Sequence, residues 1–329
     1  MESIIYTCPT NKNRPSGGIR IIYRHVEILS KLLPKGIDTK IFHFDNFNFK
    51  CDWFKHRVDF KTNPTFDPTK EFVIIPEMIA VYHARILRKA GVKYGIFVLN
   101  NFYIYTKPKS NVGNYSDQEI YETYEKAEFL LSCADEITEG IKLTFPEFKE
   151  KILRVNLSID SGKYCCSKEI FENKENLITY MPRKHTQNSE ILLFILNRHL
   201  PKNWKIKSVD KLTELEVAKI FKKSKIFLSF SQLDGLGLPP IEAALCGNHV
   251  IGYTGEGGKE FWDGPIFDEV FSGDLRTFAN KVISKVKDFN ENDYVIDKFK
   301  PYLSKLAEKY SVEKEQRSLL SLIESIKNF

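Results

Sequence analysis

At 329 residues, the chain is longer than the size at which a single hydrophobic core usually stops growing, so the sequence predicts two domains. Hydrophobic residues make up 42% of it, which is enough material for two cores. No apolar run is long enough to span a bilayer, which excludes a transmembrane segment, and the first residues lack the apolar region of a signal peptide. We therefore expect a cytoplasmic protein.

The net charge and the cysteine content bear on which partners and metal ions the protein binds. The net charge of +6 permits peripheral contact with the acidic inner face of a membrane or with nucleic acid, but the lysines are spread along the chain and serve equally well to solvate it. The six cysteines show no spacing typical of metal ligands. We expect free thiols in a reducing cytosol and no metal site.

The first half of the chain has an α/β pattern. Short apolar runs predict strands at residues 3–7, 39–44, 72–75, 94–99 and 129–132. Helices are predicted at residues 79–89, 117–127 and 135–145, and Ser116 with Glu119 forms a capping box before the second of these. A further helix follows the first strand. Its apolar residues recur every three or four positions and so share one face: Ile19, Ile22, Val26, Leu29 and Leu33.

Two segments of this half are irregular. The loop before the first helix contains Lys12 and Arg14 and ends at Gly17 and Gly18, which on their own provide the backbone freedom of a tight turn. The aromatic, lysine-rich segment 50–70 is an irregular insertion, which either touches a substrate or is a plain surface loop.

The second domain is predicted to follow a last strand and a polar crossing segment at residues 151–165. Its first strand, residues 176–181, runs into Arg183 and Lys184. Fixed positive charge at the carboxyl end of a strand suits a diphosphate, and a guanidinium favours bidentate phosphate contacts. The alternative is a pair of solvated surface cations. A strand at 205–210 and a helix capped by Thr213 and Glu216 come next.

The most informative segment reads SFSQLDGLGLPPIEAALCG. A strand at residues 225–230 leads to a loop with Asp234, a helix is predicted to begin near Pro239, and a second strand occupies residues 249–253. In such a βαβ unit the loop lies at the carboxyl end of the strand, where ligands bind, and the helix N-terminus attracts an anion such as a diphosphate. Glu242, in the first helical turn, can accept hydrogen bonds from a ribose diol, and Asp234 can reach hydroxyl groups.

DGLGLPPIEAALCG resembles the E-x7-E signature of retaining, nucleotide-sugar-dependent glycosyltransferases of the GT-B fold, especially glycosyltransferase family 4, with Asp234 in place of the first glutamate. The segment GGKEFWDG resembles the loop after the next strand in these enzymes. The resemblance implies two Rossmann-like doubly wound domains that face each other across a cleft. Residues 1–157 would be the acceptor side and residues 158–304 the donor side. The helix in 305–329 would pack back on the first domain or only on its own.

The resemblance also implies roles for individual residues. Those with catalytic roles are Asp234 and Arg183. Those that bind the donor are Lys184, Gly235, Leu236, Gly237, Glu242, Gly17 and Gly18. Those that contact the sugar or the acceptor are Arg14, Asn100 and Asn101. The nucleotide sugar is a co-substrate, and no cofactor or metal is expected, since fixed cations and a helix terminus stabilise the leaving group.

The sequence departs from the family pattern at two places. Many relatives have a histidine after a middle strand of the first domain, whereas this chain reads LNNFYIY there. Aspartate at position 234 also withdraws the carboxylate by one methylene. Because of these two departures, the family pattern does not identify the donor sugar.

The leading prediction is transfer of a sugar, with retention, to a surface glycan or lipid-linked glycan. One alternative acceptor is a modified base in DNA, which the basic balance and the 50–70 insertion permit. The same motifs would also serve a sugar-nucleotide epimerase or a non-catalytic subunit that binds nucleotide sugars.

Overall fold

The computed structural model describes residues 1–105, 115–291 and 296–327. The chain forms two compact units: Met1–Leu157 together with the segment that begins at Glu313, and Ser158–Val312. Each unit contains one parallel β-sheet with helices between its strands, which confirms the predicted α/β class with two doubly wound sheets. Residues 305–312 belong to the second unit, whereas the sequence placed them with the final segment.

The sheet of the first unit is built from the strands β1 Ser3–Thr7, β2 Asp38–Phe42, β3 Asp59–Phe60, β4 Glu71–Pro76, β5 Tyr94–Val98, β6 Leu130–Ser132 and β7 Ile152–Arg154. They pair in parallel in the order β3-β2-β1-β4-β5-β6-β7. From β1 the chain adds β2 and β3 on one side of the sheet and then adds β4 to β7 on the other side, so the strand order reverses between β1 and β4. The strands predicted in this half are confirmed to within two residues at each end. The short β3 was not predicted, because it lies inside the 50–70 insertion.

The helices of the first half are α1 Gly17–Leu32, α2 Ala80–Lys89, α3 Phe102–Tyr105, α4 Asp117–Glu125 and α5 Asp135–Thr144. Four members of the predicted apolar face of α1, Ile19, Ile22, Val26 and Leu29, are buried. Leu33 lies just beyond the end of the helix and is half-buried. The capping box is also confirmed: the Ser116 side chain accepts the backbone N–H of Glu119, and the Glu119 carboxylate accepts that of Ser116. These local devices fix where each helix begins.

The second unit follows with α6 Lys168–Glu172, β8 Glu175–Tyr180, α7 Thr186–Leu196, β9 Lys205–Ser208, α8 Glu214–Lys223, β10 Ser224–Asp234, α9 Leu238–Leu245, β11 His249–Glu256, β12 Phe267–Glu269, α10 Leu275–Glu291 and α11 Lys300–Lys309. Its strands pair in parallel in the order β12-β11-β10-β8-β9. Both faces of the sheet are covered by helices, which explains why β10 and β11 are buried along most of their lengths.

Asp234 lies at the end of β10, not on the loop where the sequence placed it. The strand continues past Phe230 because Ser231 pairs with Thr254 and Asp234 pairs with Glu256, with a register shift between the two pairs. Leu233 takes a positive φ of 50° within this shift. The irregularity therefore sets the direction in which the Asp234 carboxylate points.

The last helix, α12 Val312–Lys327, packs with the first unit. The sequence predicts that Leu319, Leu320, Ile323 and Ile326 form one apolar stripe of this helix. Three of them are buried, but Leu320 is 45% exposed and Leu322 is buried in its place. The reason is helical periodicity, since positions 319, 322, 323 and 326 share one face whereas 320 is turned about 100° from 319. Within the described residues, none of the helices has the length and apolar character needed to cross a bilayer.

A buried ion pair fastens α12 to α1. Glu315 is fully buried and accepts a hydrogen bond from Arg24 Nε at 2.8 Å, and His25 Nε2 lies 3.5 Å from the same carboxylate. Burial lowers the pKa of His25 to about 3, so this histidine is neutral and Arg24 supplies the positive charge. Ser318 Oγ adds a bond by accepting the backbone N–H of Asn156 at 2.9 Å.

Glu315→Gln should lower the free energy of unfolding by about 3 kcal/mol, because it leaves the Arg24 guanidinium partly buried without its countercharge. Urea denaturation measures the change. The matched control is Glu122→Gln, which removes an exposed partner of Arg88 and should cost less than ~1 kcal/mol. Equal effects of the two substitutions would contradict the assigned importance of the buried pair.

Candidate functional site

The second sheet reverses its order between β8 and β10. The chain leaves β8 through α7 to β9 on one side and returns through α8 to β10 on the other. The two loops that leave the carboxyl ends of these strands therefore diverge, and the space between such loops is the usual ligand position in an open α/β sheet. Arg183 and Lys184 follow β8, and Asp234 ends β10, so the switch point brings these predicted site residues to one place.

Lys184 and Asp234 form an ion pair across this switch point. The Lys184 ammonium donates a hydrogen bond to Asp234 Oδ1, while the Lys184 side chain remains 44% exposed. Asp234 is largely buried, and its second oxygen, Oδ2, accepts no hydrogen bond from the described residues. One carboxylate oxygen is thus held by a cation and the other is an unused buried acceptor, which suits a ligand hydroxyl group. Arg183 is exposed on the same loop.

The helix α9 begins immediately beyond Asp234. Gly237 precedes it with φ +80° and ψ +77°, a left-handed conformation that glycine adopts without strain. Prolines in the first turn remove backbone donors that have no intrahelical partner, as the sequence predicted. Because α9 starts at Leu238, Glu242 is its fifth residue, just past the first turn, and only 3% of it is exposed. The carboxylate therefore lies within the protein rather than standing out beside the loop.

The loop after β11 packs tightly on the loop before α9. A Cβ atom at Gly257 would lie 1.8 Å from the carbonyl oxygen of Gly235, so only glycine allows this contact between backbones. A Cβ atom at Gly258 would lie 3.4 Å from its nearest neighbour, Phe261 Cζ, which is an ordinary van der Waals distance. The loop is held from the other side by Glu260, whose carboxylate accepts the Tyr310 hydroxyl at 2.7 Å. The position of Gly235, Leu236 and Gly237 therefore depends on the GGKE segment.

The predicted site residues of the first unit lie at the carboxyl edge of its own sheet. Gly17 and Gly18 open α1, and a Cβ at Gly18 would lie 3.3 Å from Leu99 Cδ1. Arg14 is exposed on the preceding loop, where Asn11, Lys12 and Asn13 all have φ near +50°. Consecutive residues in this left-handed region have a strained backbone unless they are glycines.

The two asparagines predicted to contact sugar or acceptor have different environments. Asn100 is half-buried, and its side-chain oxygen accepts the backbone N–H of Phe102 at 3.0 Å. Asn101 is 1% exposed and packs so closely on Gly140 that a Cβ there would lie 2.2 Å from Asn101 Nδ2. Asn101 therefore belongs to the packing between the β5 loop and α5, and Asn100 is the nearer of the two to solvent.

Sequence analysis missed Glu77, which directly follows β4. Its side chain is buried and accepts the backbone N–H of Leu99 at 3.0 Å. Burial raises the pKa of Glu77 to about 7, against the opposing effect of hydrogen bonds from backbone N–H groups of Leu99, Glu77 and Asn100. The available signal was an acidic residue placed directly after the apolar run FVIIP.

The six cysteines are free thiols in the structure, and Cys8, Cys51, Cys133 and Cys246 are buried. In the ranges that the structure describes, no three His, Cys, Asp or Glu side chains cluster in a way that could hold a metal ion.

The chain is similar to known proteins in its fold and, over a shorter stretch, in its sequence. The chain is similar to sucrose-phosphate synthase from Thermosynechococcus elongatus, with a TM-score of 0.72, 11% identity and full coverage of both chains. It is also similar to Anabaena HepE in complex with UDP and glucose, with a TM-score of 0.73, 11% identity and coverage of 99% and 100%. These likenesses show the fold, which is that of GT-B glycosyltransferases.

One curated protein is similar in sequence. An alpha-1,6-glucosyltransferase from Actinobacillus pleuropneumoniae serotype 7 (strain AP76) is 36% identical over 85 residues, which cover 25% of this chain. The match spans 26% of the length of that relative. No protein-family model matches the chain.

Gly257→Ala should destabilise the second unit markedly, by several kcal/mol, because the new methyl group meets a backbone oxygen that cannot move without displacing the α9 loop. Gly258→Ala is the matched control, since its methyl group has room. Thermal unfolding compares the two variants. A similar melting temperature for both would contradict the close contact between the two loops.

The pKa of Glu77 predicts a pH-dependent effect of Glu77→Gln. Between pH 4.5 and 7 the folded protein binds a proton at Glu77 that the unfolded chain releases, so the contribution of Glu77 to stability is lost as pH rises through 7. The stability of the variant relative to wild type should therefore be about 2–3 kcal/mol more favourable at pH 8 than at pH 4. Urea denaturation at both pH values tests this, and an unchanged difference would contradict it.

Proposed function

We propose that the protein is a glycosyltransferase that moves a sugar from a nucleotide sugar to an acceptor. The main support for this proposal is the Lys184–Asp234 pair at the switch point of the second sheet. A cation, a buried carboxylate oxygen without a partner among the described residues, and the N-terminus of α9 lie together there. The GT-B fold and the partial sequence match to a glucosyltransferase support this proposal. Uridine diphosphate is the favoured nucleotide, because HepE has the same fold and binds UDP and glucose.

The leaving group determines what the site must do. When the bond from the sugar to the diphosphate breaks, negative charge grows on the phosphate oxygens, and groups already in place to meet that charge lower the barrier. We assign this task to Arg183, Lys184 and the backbone N–H groups of Gly235, Leu236 and Gly237, which precede α9. The Lys184 side chain is 44% exposed and its ammonium has three donors, so it can donate to a phosphate while it stays bonded to Asp234.

The two carboxylates have separate roles in this proposal. Asp234 Oδ2 accepts a hydrogen bond from a hydroxyl of the donor sugar, since it is a buried acceptor without a partner among the described residues. Glu242 accepts the ribose hydroxyls, as its place in the D-x7-E pattern implies. The close approach of Gly257 to Gly235 holds the α9 loop so that its backbone amides stay directed at the donor.

The proposed reaction proceeds with retention of the anomeric configuration and without a metal ion, and the acceptor is a surface glycan or lipid-linked glycan. Retention follows from the family resemblance of the DGLGLPPIE segment. Metal independence follows from the fixed cations at the switch point. Proton NMR of the product anomer and turnover in the presence of EDTA test these two points; an inverted product or loss of turnover with EDTA would contradict them.

The first experiment is a thermal-shift screen of the full chain against UDP, GDP, CMP, ADP and their common sugars. Selective stabilisation by one nucleotide and its sugar is expected. Lys184→Ala should weaken nucleotide binding by roughly tenfold or more, because a charge-assisted hydrogen bond to phosphate contributes about 1.5–3 kcal/mol. Asp234→Asn should lower turnover at least roughly 100-fold with little change in nucleotide affinity, because its contact is with the sugar.

Asp288→Asn is the matched control, because Asp288 is a partly exposed residue of the same unit that lies 3.5 Å from Lys285. It should leave binding and turnover unchanged. No stabilisation by any nucleotide, or conversion of the donor into an epimer without release of nucleotide, would contradict the proposal.

A further inference from the structure

The first sheet has a switch point of its own, and Glu77 stands at it. The strand order reverses between β1 and β4, so the loops after these strands diverge at the carboxyl edge of the sheet. The loop after β1 carries Gly17 and Gly18, and the residue directly after β4 is Glu77. A buried carboxyl group at this position is unusual, because burial without a countercharge disfavours the ionised form.

Glu77 connects the loops of three neighbouring strands. It belongs to the loop after β4, and its Oε2 accepts the backbone N–H of Leu99 directly after β5 at 3.0 Å. The backbone N–H of Asn100 also stabilises the carboxylate. The Leu99 side chain in turn lies against Gly18, where a Cβ would come within 3.3 Å of Leu99 Cδ1. A change at one carboxylate therefore reaches the Gly17–Gly18 turn through Leu99.

We infer that Glu77 is a positioning residue for the loops at the carboxyl edge of the first sheet: its buried carboxyl group fixes the Leu99–Asn100 backbone and, through Leu99, the turn at Gly17 and Gly18. The protonated group keeps one oxygen that accepts a backbone N–H, whereas ionisation of the buried group favours a state in which it is solvated, so the loop after β5 loosens as the proton is lost. This inference rests on the proposed function for its effect on turnover, but its structural part does not.

The surroundings of Glu77 make it responsive near neutral pH. The elements packed against its turn carry Tyr82, His83 and Arg85 on α2, Tyr94 on β5, and Tyr103 on α3. His83 is neutral at pH 6–8, since burial lowers its pKa to about 4, and Arg85 is bonded to Glu119. Burial is the leading cause of the raised pKa of Glu77, and the opposing groups are backbone amides. The Glu77 proton is thus taken up and released around pH 7.

The test combines amide hydrogen exchange with turnover, on the full chain. After correction for the intrinsic exchange rate, the Leu99 and Asn100 amides of the wild type should exchange about tenfold more slowly at pH 6 than at pH 8, because the proton bound by the buried Glu77 opposes opening. Glu77→Gln should remove this pH dependence and exchange slowly at both values, because glutamine is neutral and keeps one acceptor oxygen. Glu71→Gln is the matched control at the other end of β4, where the carboxylate binds Lys61 at 2.7 Å, and it should behave as wild type.

Turnover is followed as release of nucleotide from whichever nucleotide sugar stabilises the wild type. The rate of nucleotide release should fall about tenfold from pH 6 to pH 8 in the wild type and in Glu71→Gln, whereas in Glu77→Gln it should stay high and nearly independent of pH. Wild-type exchange that does not change with pH would overturn the inference even if turnover is normal, and it requires no variant to fold. Absence of turnover with every donor, together with the expected exchange, would instead refute only the proposed function and the catalytic consequence of Glu77.

Discussion

The second unit depends on one electrostatic constraint, the need to neutralise a carboxylate that its own strand buries. Asp234 ends β10 in a largely buried position, and an isolated charge there would be costly. Lys184 meets it from the loop after the neighbouring strand β8, so the ion pair joins the carboxyl ends of the two strands between which the sheet changes direction. The space between the two loops thus has a fixed positive group on one side and a half-satisfied carboxylate on the other. Both properties arise from the same contact.

Backbone contacts around this pair set its geometry. The register shift in β10 turns Asp234 inward, and Gly257 lets one loop rest directly on another. Backbone strain persists only where the surroundings impose it. Among the described residues of this unit, the non-glycine positions with positive φ all lie at or just beyond the carboxyl ends of strands: His185, Lys211, Leu233 and Glu256. The strain is therefore concentrated at the edge of the sheet where the candidate site lies.

Much of this arrangement could be predicted, because its causes are local. The 3.6-residue period of α1, the two capping boxes and the prolines of α9 act over a few residues, and the predicted elements follow them closely. Only part of the candidate site could be predicted from the sequence. Strand order decides that Lys184 meets Asp234 and that Glu77 meets Leu99, and both contacts join residues more than 20 positions apart. Likewise, the partner that makes Asn101 a packing residue is Gly140, on a helix well downstream.

The first unit is made from two separate stretches of chain, and this has a consequence for how the protein matures. The sheet and α1 are synthesised first, but the partner of Arg24 is Glu315, which leaves the ribosome only after every residue of the second unit. Until then the first unit lacks α12 and its buried apolar residues Leu319, Leu322 and Ile323. The N-terminal unit therefore begins to fold first and finishes last. A translation product that stops near residue 312 would carry the proposed donor site entire but lack the helix that completes the first unit.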